Sequence, residues 1–286
     1  MKDGLPPPVE MDREEGRRAF GADAAGYDGA RPAYPETLYA LLQERCGLRE
    51  GTATVEIGPG TGLATRRLLE LGARPLVAVE PDERLAAYLR ANVKTATGDG
   101  RDALEVRAED FESVELPETS FDLVVSATAF HWLDQAVALA KIGRLLRPGG
   151  WWAMWWTVFG DPGRPDPFHE ATVKLVGSLS KSPSAGVSWR APFALDETAR
   201  REDLEAAGAF EEIRFERYDA TLVLDPARVR ALYATFSSVN LLPDADREAL
   251  LDRLARIAAD DFGGRVERKL ITAVYTARRR ASPSRS

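Results

Sequence analysis

The chain has a single cysteine, Cys46, in 286 residues. That excludes a disulfide framework within the chain and any cysteine-based metal cluster. Two histidines, His131 and His169, leave little material for a zinc site, so no metal is expected. No apolar run reaches the roughly 18 residues of a membrane span. The longest apolar patch, Trp151 to Trp156 followed by Val158 and Phe159, has the length of a strand. The first ten residues carry three prolines and acids but no basic region or apolar stretch of a signal peptide, so a cytoplasmic setting is expected. A basic excess is also missing. The 38 Lys and Arg stand against 45 Asp and Glu, a net charge of −7, which argues against a nucleic-acid-coating protein. The remaining composition, 44% hydrophobic and 29% charged, is that of a globular chain long enough to bury its own core.

Strand-like and helix-like segments alternate, the pattern of an α/β layered fold. Strands are expected at Thr52–Ile57, Pro75–Val79, Leu104–Arg107, Asp122–Ser126, Trp151–Phe159, Glu212–Leu224 and Lys269–Ala277. Helices are expected at Glu36–Cys46, Gly62–Leu71, Asp82–Asn92, Gln135–Leu146, Arg200–Ala207, Pro226–Phe236 and Asp244–Ala259. Leu123, Val124 and Val125 form the continuous apolar run of a parallel strand covered on both faces. Gly160–Pro192 is irregular apart from a helical patch near Phe168–Leu179, and so long a connection is usually functional or mobile.

One loop carries chemistry. Val55-Glu56-Ile57-Gly58-Pro59-Gly60-Thr61-Gly62 joins the first of these strands to a helix. Its glycines let a ligand approach bare main chain, and the following helix offers unpaired N–H groups. The next strand ends in Val77-Ala78-Val79-Glu80, which puts Glu80 20 residues past Gly60. At that spacing an acid reaches the ribose hydroxyls of a bound nucleoside. A dinucleotide fingerprint asks for a further glycine where Leu63 stands, which opposes a nicotinamide-dependent dehydrogenase.

With these residues the chain resembles the class I S-adenosylmethionine-dependent methyltransferases. Its Ala127–Asp134 stretch after the fourth strand, with Tyr27-Asp28 and Arg31-Pro32 in Phe20–Pro35, is similar to the small-molecule enzymes of the trans-aconitate and ubiquinone/menaquinone-pathway type. The resemblance covers roughly Phe20–Phe159. It implies a Rossmann-like, doubly wound, mostly parallel seven-stranded sheet with the last strand antiparallel and with helical lid insertions. Residues 1–15 and 278–286 would be disordered, 16–50 a helical cap, 51–159 the cofactor-binding core and 160–199 a lid. The rest of the sheet would lie in 200–277, with a helical insertion at 226–264. The resemblance further implies that Glu56, Gly58, Pro59, Gly60, Thr61 and Gly62 lie against the methionine part of S-adenosylmethionine. Glu80 and Pro81 would meet the ribose, and Ala108, Glu109 and Asp110 the adenine. Ser126, at the end of the fourth strand, and Tyr27 and Arg31, in the cap, complete the expected cofactor contacts. Lys94–Arg101 reads as an insertion before the third strand.

Methyl transfer is an in-line displacement that needs alignment and a dry pocket. A base is required only when the acceptor must lose a proton. His131 is the candidate, with Tyr27 and Tyr34 as weaker hydroxyls. Alternatively, His131 and Trp132 form a wall against cofactor or helix, and Tyr27 and Arg31 only pack the cap. Trp155, Trp156, Phe159, Phe168, Trp189, Tyr233 and Phe236 are candidate pocket walls, although aromatics more often build core. The expected partner is a small, partly apolar methyl acceptor, with S-adenosylhomocysteine as the other product. A non-catalytic cofactor-binding protein stays open. A nucleic-acid methyltransferase is disfavoured, because Ser126-Ala127-Thr128-Ala129 lacks the Asn-Pro-Pro-Tyr pattern and Cys46 precedes the glycine loop.

Overall fold

The computed structural model describes residues 11, 20–93, 103–177, 179, 182–185 and 191–281. The proposed insertion 94–101, Trp189 and nearly all of the expected N-terminal tail lie outside them. In chain order the helices are α1 (Ala24–Ala30), α2 (Glu36–Cys46), α3 (Leu63–Glu70), α4 (Glu83–Asn92), α5 (Gln135–Leu145), α6 (Pro167–Val176), α7 (Glu197–Ala206), α8 (Pro226–Tyr233), α9 (Ser237–Asn240) and α10 (Asp244–Asp260). The strands are β1 (Thr52–Ile57), β2 (Ala73–Val79), β3 (Leu104–Arg107), β4 (Phe121–Ala127), β5 (Leu146–Phe159), β6 (Phe210–Leu224) and β7 (Val266–Arg279).

One mixed seven-stranded sheet has the order β3-β2-β1-β4-β5-β7-β6, with six strands parallel and β7 antiparallel. In β1, Val55 pairs with Val77 of β2 on one side and Val124 of β4 on the other. All six β1 residues are buried, as expected of a central parallel strand with both faces covered. The chain order reverses between β1 and β4, and in such sheets ligands bind beyond the carboxyl ends of the strands at that point. No helix among the described residues is long and apolar enough to cross a membrane.

The chain divides into two compact units. The core unit comprises residues 33–157, 194–218 and 272–286. Its interior includes Leu38 and Leu42 of α2, Leu68 of α3, Leu89 of α4, and Leu76, Leu123, Val125, Trp155 and Val274 of the sheet. α2, expected within an N-terminal cap, therefore packs into this core through its leucine stripe. β5 begins earlier than expected. Its pairing with β4 shifts register between Phe121 and Leu123, and the extra residues Arg147–Gly150 are absorbed there. β7 runs on through Arg279, where a tail was expected from residue 278. The reason is local pairing: Arg278 Nε donates to the Gly149 carbonyl at 3.2 Å, and its Nη1 meets Glu212 at 3.0 Å.

The second unit comprises residues 1–32, 158–193 and 219–271. Phe168, Val229, Leu232, Tyr233, Val239, Leu251, Leu254 and Val266 form its interior. Within it Arg268 and Asp166, both almost fully buried, pair at 2.9 Å, and Arg268 also donates to the Tyr233 hydroxyl. Asp166 caps α6 by accepting from the His169 N–H at 2.7 Å. Every charge in this network is matched, which is the condition for tolerating buried ions.

Candidate cofactor site

The loop after β1 is built on three glycines with positive φ: 65° at Gly58, 58° at Gly60 and 87° at Gly62. Each is there for its own reason. A Cβ on Gly58 would lie 2.5 Å from the Ala129 Cβ, and one on Gly62 would strike Leu89 and Val93. A Cβ on Gly60 would meet nothing within 4 Å. Only its backbone angle requires glycine, and its main chain faces open space. The loop is stitched to β2 by the Gly58 N–H, which donates to the Val79 carbonyl at 2.9 Å.

Glu80 follows β2 and is 5% exposed. Its Oε2 accepts from the Gly60 N–H at 3.0 Å and its Oε1 from the Asp82 N–H at 3.1 Å. The carboxylate thus sits between the tips of β1 and β2 and fixes the loop. A carboxylate oxygen can accept from more than one donor, and a pair of ribose hydroxyls would supply such donors. Pro81 is half-buried beside it, and Asp82 caps α4 through the Arg84 N–H at 2.9 Å. Thr61 is buried, and its carbonyl accepts from Arg66 Nη1 at 3.1 Å.

Beneath the loop, Glu56 is completely buried and neither carboxylate oxygen has a hydrogen-bond partner. The Thr65 hydroxyl on α3 is buried and unpartnered as well. Burial pushes the Glu56 carboxyl up to about 7, and the charge of Glu80 adds to that; Thr65 and Arg66 oppose it. Unmatched acceptors beside a bare glycine main chain fit a ligand that carries a positive charge and N–H donors, as the methionine part of S-adenosylmethionine does.

The structure brings the third expected segment to the same edge. The Glu80 N–H donates to the Arg107 carbonyl at the end of β3 at 2.9 Å. Ala108 is half-buried; Glu109 and Asp110 are exposed, Glu109 pairing with Arg107 at 3.0 Å. Lys141 of α5 anchors the turn that follows, donating to the carbonyls of Phe111, at 2.7 Å, and Val114.

The exit from β4 forms the other side. Ser126 donates its hydroxyl to the Ile57 carbonyl at 3.1 Å and is fully buried, so it serves the sheet at that atom. Thr128 has φ 57°, a costly conformation for a β-branched residue. Its N–H is held by the Trp155 carbonyl at 2.7 Å and its hydroxyl by that of Tyr34 at 3.0 Å. His131 is 4% exposed, and its Nδ1 accepts from the Trp156 indole at 2.9 Å. That bond assigns the imidazole proton to Nε2 in the neutral ring. Trp132 packs on the same ring, 5.1 Å between centroids.

Tyr27 and Arg31 lie in the second unit. The Arg31 guanidinium sits 5.0 Å from the Tyr27 ring centre, 5.3 Å from Phe159 and 5.2 Å from Phe236. Of the other expected pocket walls, Trp155, Trp156, Phe168 and Tyr233 are interior residues. Among the described residues no group of three or more His, Cys, Asp or Glu is placed to hold a metal ion.

Comparison with known proteins agrees with this geometry. Residues 55–154 match the family model described as methyltransferase domain. An uncharacterized methyltransferase-like protein of Schizosaccharomyces pombe is 25% identical over 84% of this chain and 86% of its own length. A dimethylglycine N-methyltransferase of Parasynechococcus marenigrum is 36% identical over 51% of this chain and 50% of its own. In fold, the chain resembles phosphoethanolamine N-methyltransferase 2 of Haemonchus contortus in complex with S-adenosyl-L-methionine. That likeness has a TM-score of 0.56 at 16% identity, covering 96% of this chain and 61% of that one. Sheet order, glycine loop and relatives converge in support of a class I S-adenosylmethionine-dependent methyltransferase, with the methyltransferase domain at residues 55–154.

Proposed function

We propose that the chain transfers a methyl group from S-adenosylmethionine to a small, partly apolar molecule, by in-line displacement and without a metal. The observation that carries this reading is the Glu80 carboxylate, turned onto the Gly60 N–H between two strand tips. Glu80 would hold the ribose hydroxyls, Gly58–Gly62 and Glu56 the methionine part, and Ala108–Asp110 the adenine. When bound, the cofactor supplies an electrophilic methyl on a sulfonium whose charge vanishes as the bond breaks. The protein's task is then alignment and exclusion of water rather than acid catalysis. The relative that acts on dimethylglycine supports a small acceptor.

His131 acts as a wall in this reading. Its Nδ1 is engaged by Trp156 and its other nitrogen already carries a proton, so to take up a second proton it must break the indole bond. Acceptors that need no strong base, such as a carboxylate, an enolate or a neutral amine, suit that arrangement.

Titration calorimetry with S-adenosylhomocysteine tests the assignment. The wild type binds, and Glu80→Ala weakens binding by about 1–3 kcal/mol, the size of a lost charge-assisted hydrogen bond. Equal affinity in the two proteins removes the ribose role from Glu80. No binding by the wild type removes the cofactor reading altogether.

A further inference from the structure

Thr128 is held in a conformation that its own side chain disfavours. A φ of 57° crowds a β-branched residue, and such angles persist only where the surroundings over-determine them. Two restraints meet here. The Thr128 N–H donates to the Trp155 carbonyl at 2.7 Å, and the Thr128 hydroxyl lies 3.0 Å from that of Tyr34. The Tyr34 ring in turn stands edge-on to the Trp155 ring, with centroids 5.8 Å apart and planes at 87°. Tyr34 is itself well supported. Pro35 follows it, and a proline confines the residue before it to extended backbone. Next comes α2, anchored in the core by Leu38 and Leu42.

The effect of the Thr128 turn lies one residue further on. Ala129 sits against Gly58, so close that a Cβ on that glycine would lie 2.5 Å from the Ala129 Cβ. The turn therefore seats the exit of β4 on the first glycine of the loop. Tyr34, Gly58, Thr128, Ala129 and Trp155 all belong to the core unit. A glycine at position 128 would adopt the same angle without strain. With threonine there, the seating of Ala129 on Gly58 depends on what restrains Thr128.

We propose that Tyr34 is a positioning residue for the cofactor loop: its hydroxyl clamps Thr128 in the left-handed turn and so holds the β4 exit on Gly58. Tyr34 acts through Thr128 and Ala129 rather than by touching the cofactor or taking a proton. The clamp shapes Gly58–Gly62 before the ligand arrives, and without it part of the binding energy is spent on restoring the turn. This rests on the S-adenosylmethionine reading of that loop and adds two residues to it.

The test is a double-mutant cycle read by titration calorimetry with S-adenosylhomocysteine. Tyr34→Phe keeps the ring on Trp155 and removes the hydroxyl. It weakens binding about fivefold, the size of one hydrogen bond. In a Thr128→Gly background, where the turn needs no clamp, the same Tyr34→Phe change alters affinity by less than about twofold. Thr128→Asn stands in if the glycine variant does not fold, because asparagine tolerates this backbone better than threonine. A hydroxyl that touched the ligand, or a tyrosine that only stabilised the fold, would have the same effect in both backgrounds. Equal affinity of the wild type and Tyr34→Phe overturns the proposal, and so does an equal loss in the two backgrounds. If the wild type binds no S-adenosylhomocysteine, the methyltransferase reading itself falls and the clamp falls with it.

Discussion

Glu56 shows how much of a site a single residue type conveys and how much it conceals. A sequence shows an acid before a glycine loop; it does not show that both oxygens are buried without a partner. That has a consequence for stability. An ordinary glutamate ionises near 4.5, and burial carries this one up to about 7. Between those values the unfolded chain releases a proton that the folded chain keeps. The native state therefore loses stability as pH rises from 4.5 to 7, and the full cost remains above 7. Its size is on the order of 3 kcal/mol. Glu56→Gln removes the charge while keeping shape. Melting curves should show the variant matching the wild type near pH 4.5 and exceeding it by several degrees at pH 8. An identical difference at both pH values would show that Glu56 does not titrate in this range. Thr128 marks the opposite limit: nothing in a threonine announces a φ of 57°, because that angle is imposed by the Trp155 carbonyl and the Tyr34 hydroxyl. The glycines were readable as a set, but the steric reasons at Gly58 and Gly62 depend on Ala129, Leu89 and Val93, further along the chain.

At the level of elements, local patterning carried the reading far. A continuous apolar run gave β4, and the glycine loop followed by an acid fixed the relation of β1 to β2. Boundaries failed where a distant partner decides them. β5 starts early because a register shift against β4 absorbs Arg147–Gly150, and β7 extends because Arg278 finds Gly149 and Glu212. Lys141 is the clearest case. It lies on α5. In the fold it is buried, and its ammonium fills the turn after β3 by donating to the carbonyls of Phe111 and Val114. Burial holds its pKa below the usual lysine range. Lys141→Met keeps the stem and removes the donors, leaving carbonyls unpaired at a cost of roughly 1–3 kcal/mol each. Urea denaturation should show a loss of about 2–4 kcal/mol. An unchanged midpoint would mean that water replaces the ammonium and that Lys141 does not hold the turn that follows Ala108–Asp110.

At the scale of the whole molecule, the chain carries its own reporter of folding in the core unit. Cys46 is the single cysteine, 4% exposed, at the end of α2. Burial pushes its thiol up to about 12, so in the folded state it is both hidden and protonated, and an aromatic disulfide reagent must wait for an opening. The loop Gly58–Gly62, Glu80 and the β3 edge belong to the same unit as Cys46. A ligand that binds only the folded unit lowers the open population by the factor 1 + [L]/Kd. With S-adenosylhomocysteine at 100 times its Kd, labelling of Cys46 at pH 8 should slow about 100-fold. The slowing should be proportional to ligand concentration over the preceding decade. A rate indifferent to the ligand would locate the opening in local fraying of α2 near Gly47, uncoupled from the crevice. A rate that slows but saturates after a few-fold would indicate two routes, one fraying and one cooperative. Proportional slowing shows that opening at Cys46 and loss of the cofactor crevice are one event, as expected when Leu38 and Leu42 of α2 share an interior with Leu76 and Ala78 of β2, the strand that Glu80 follows.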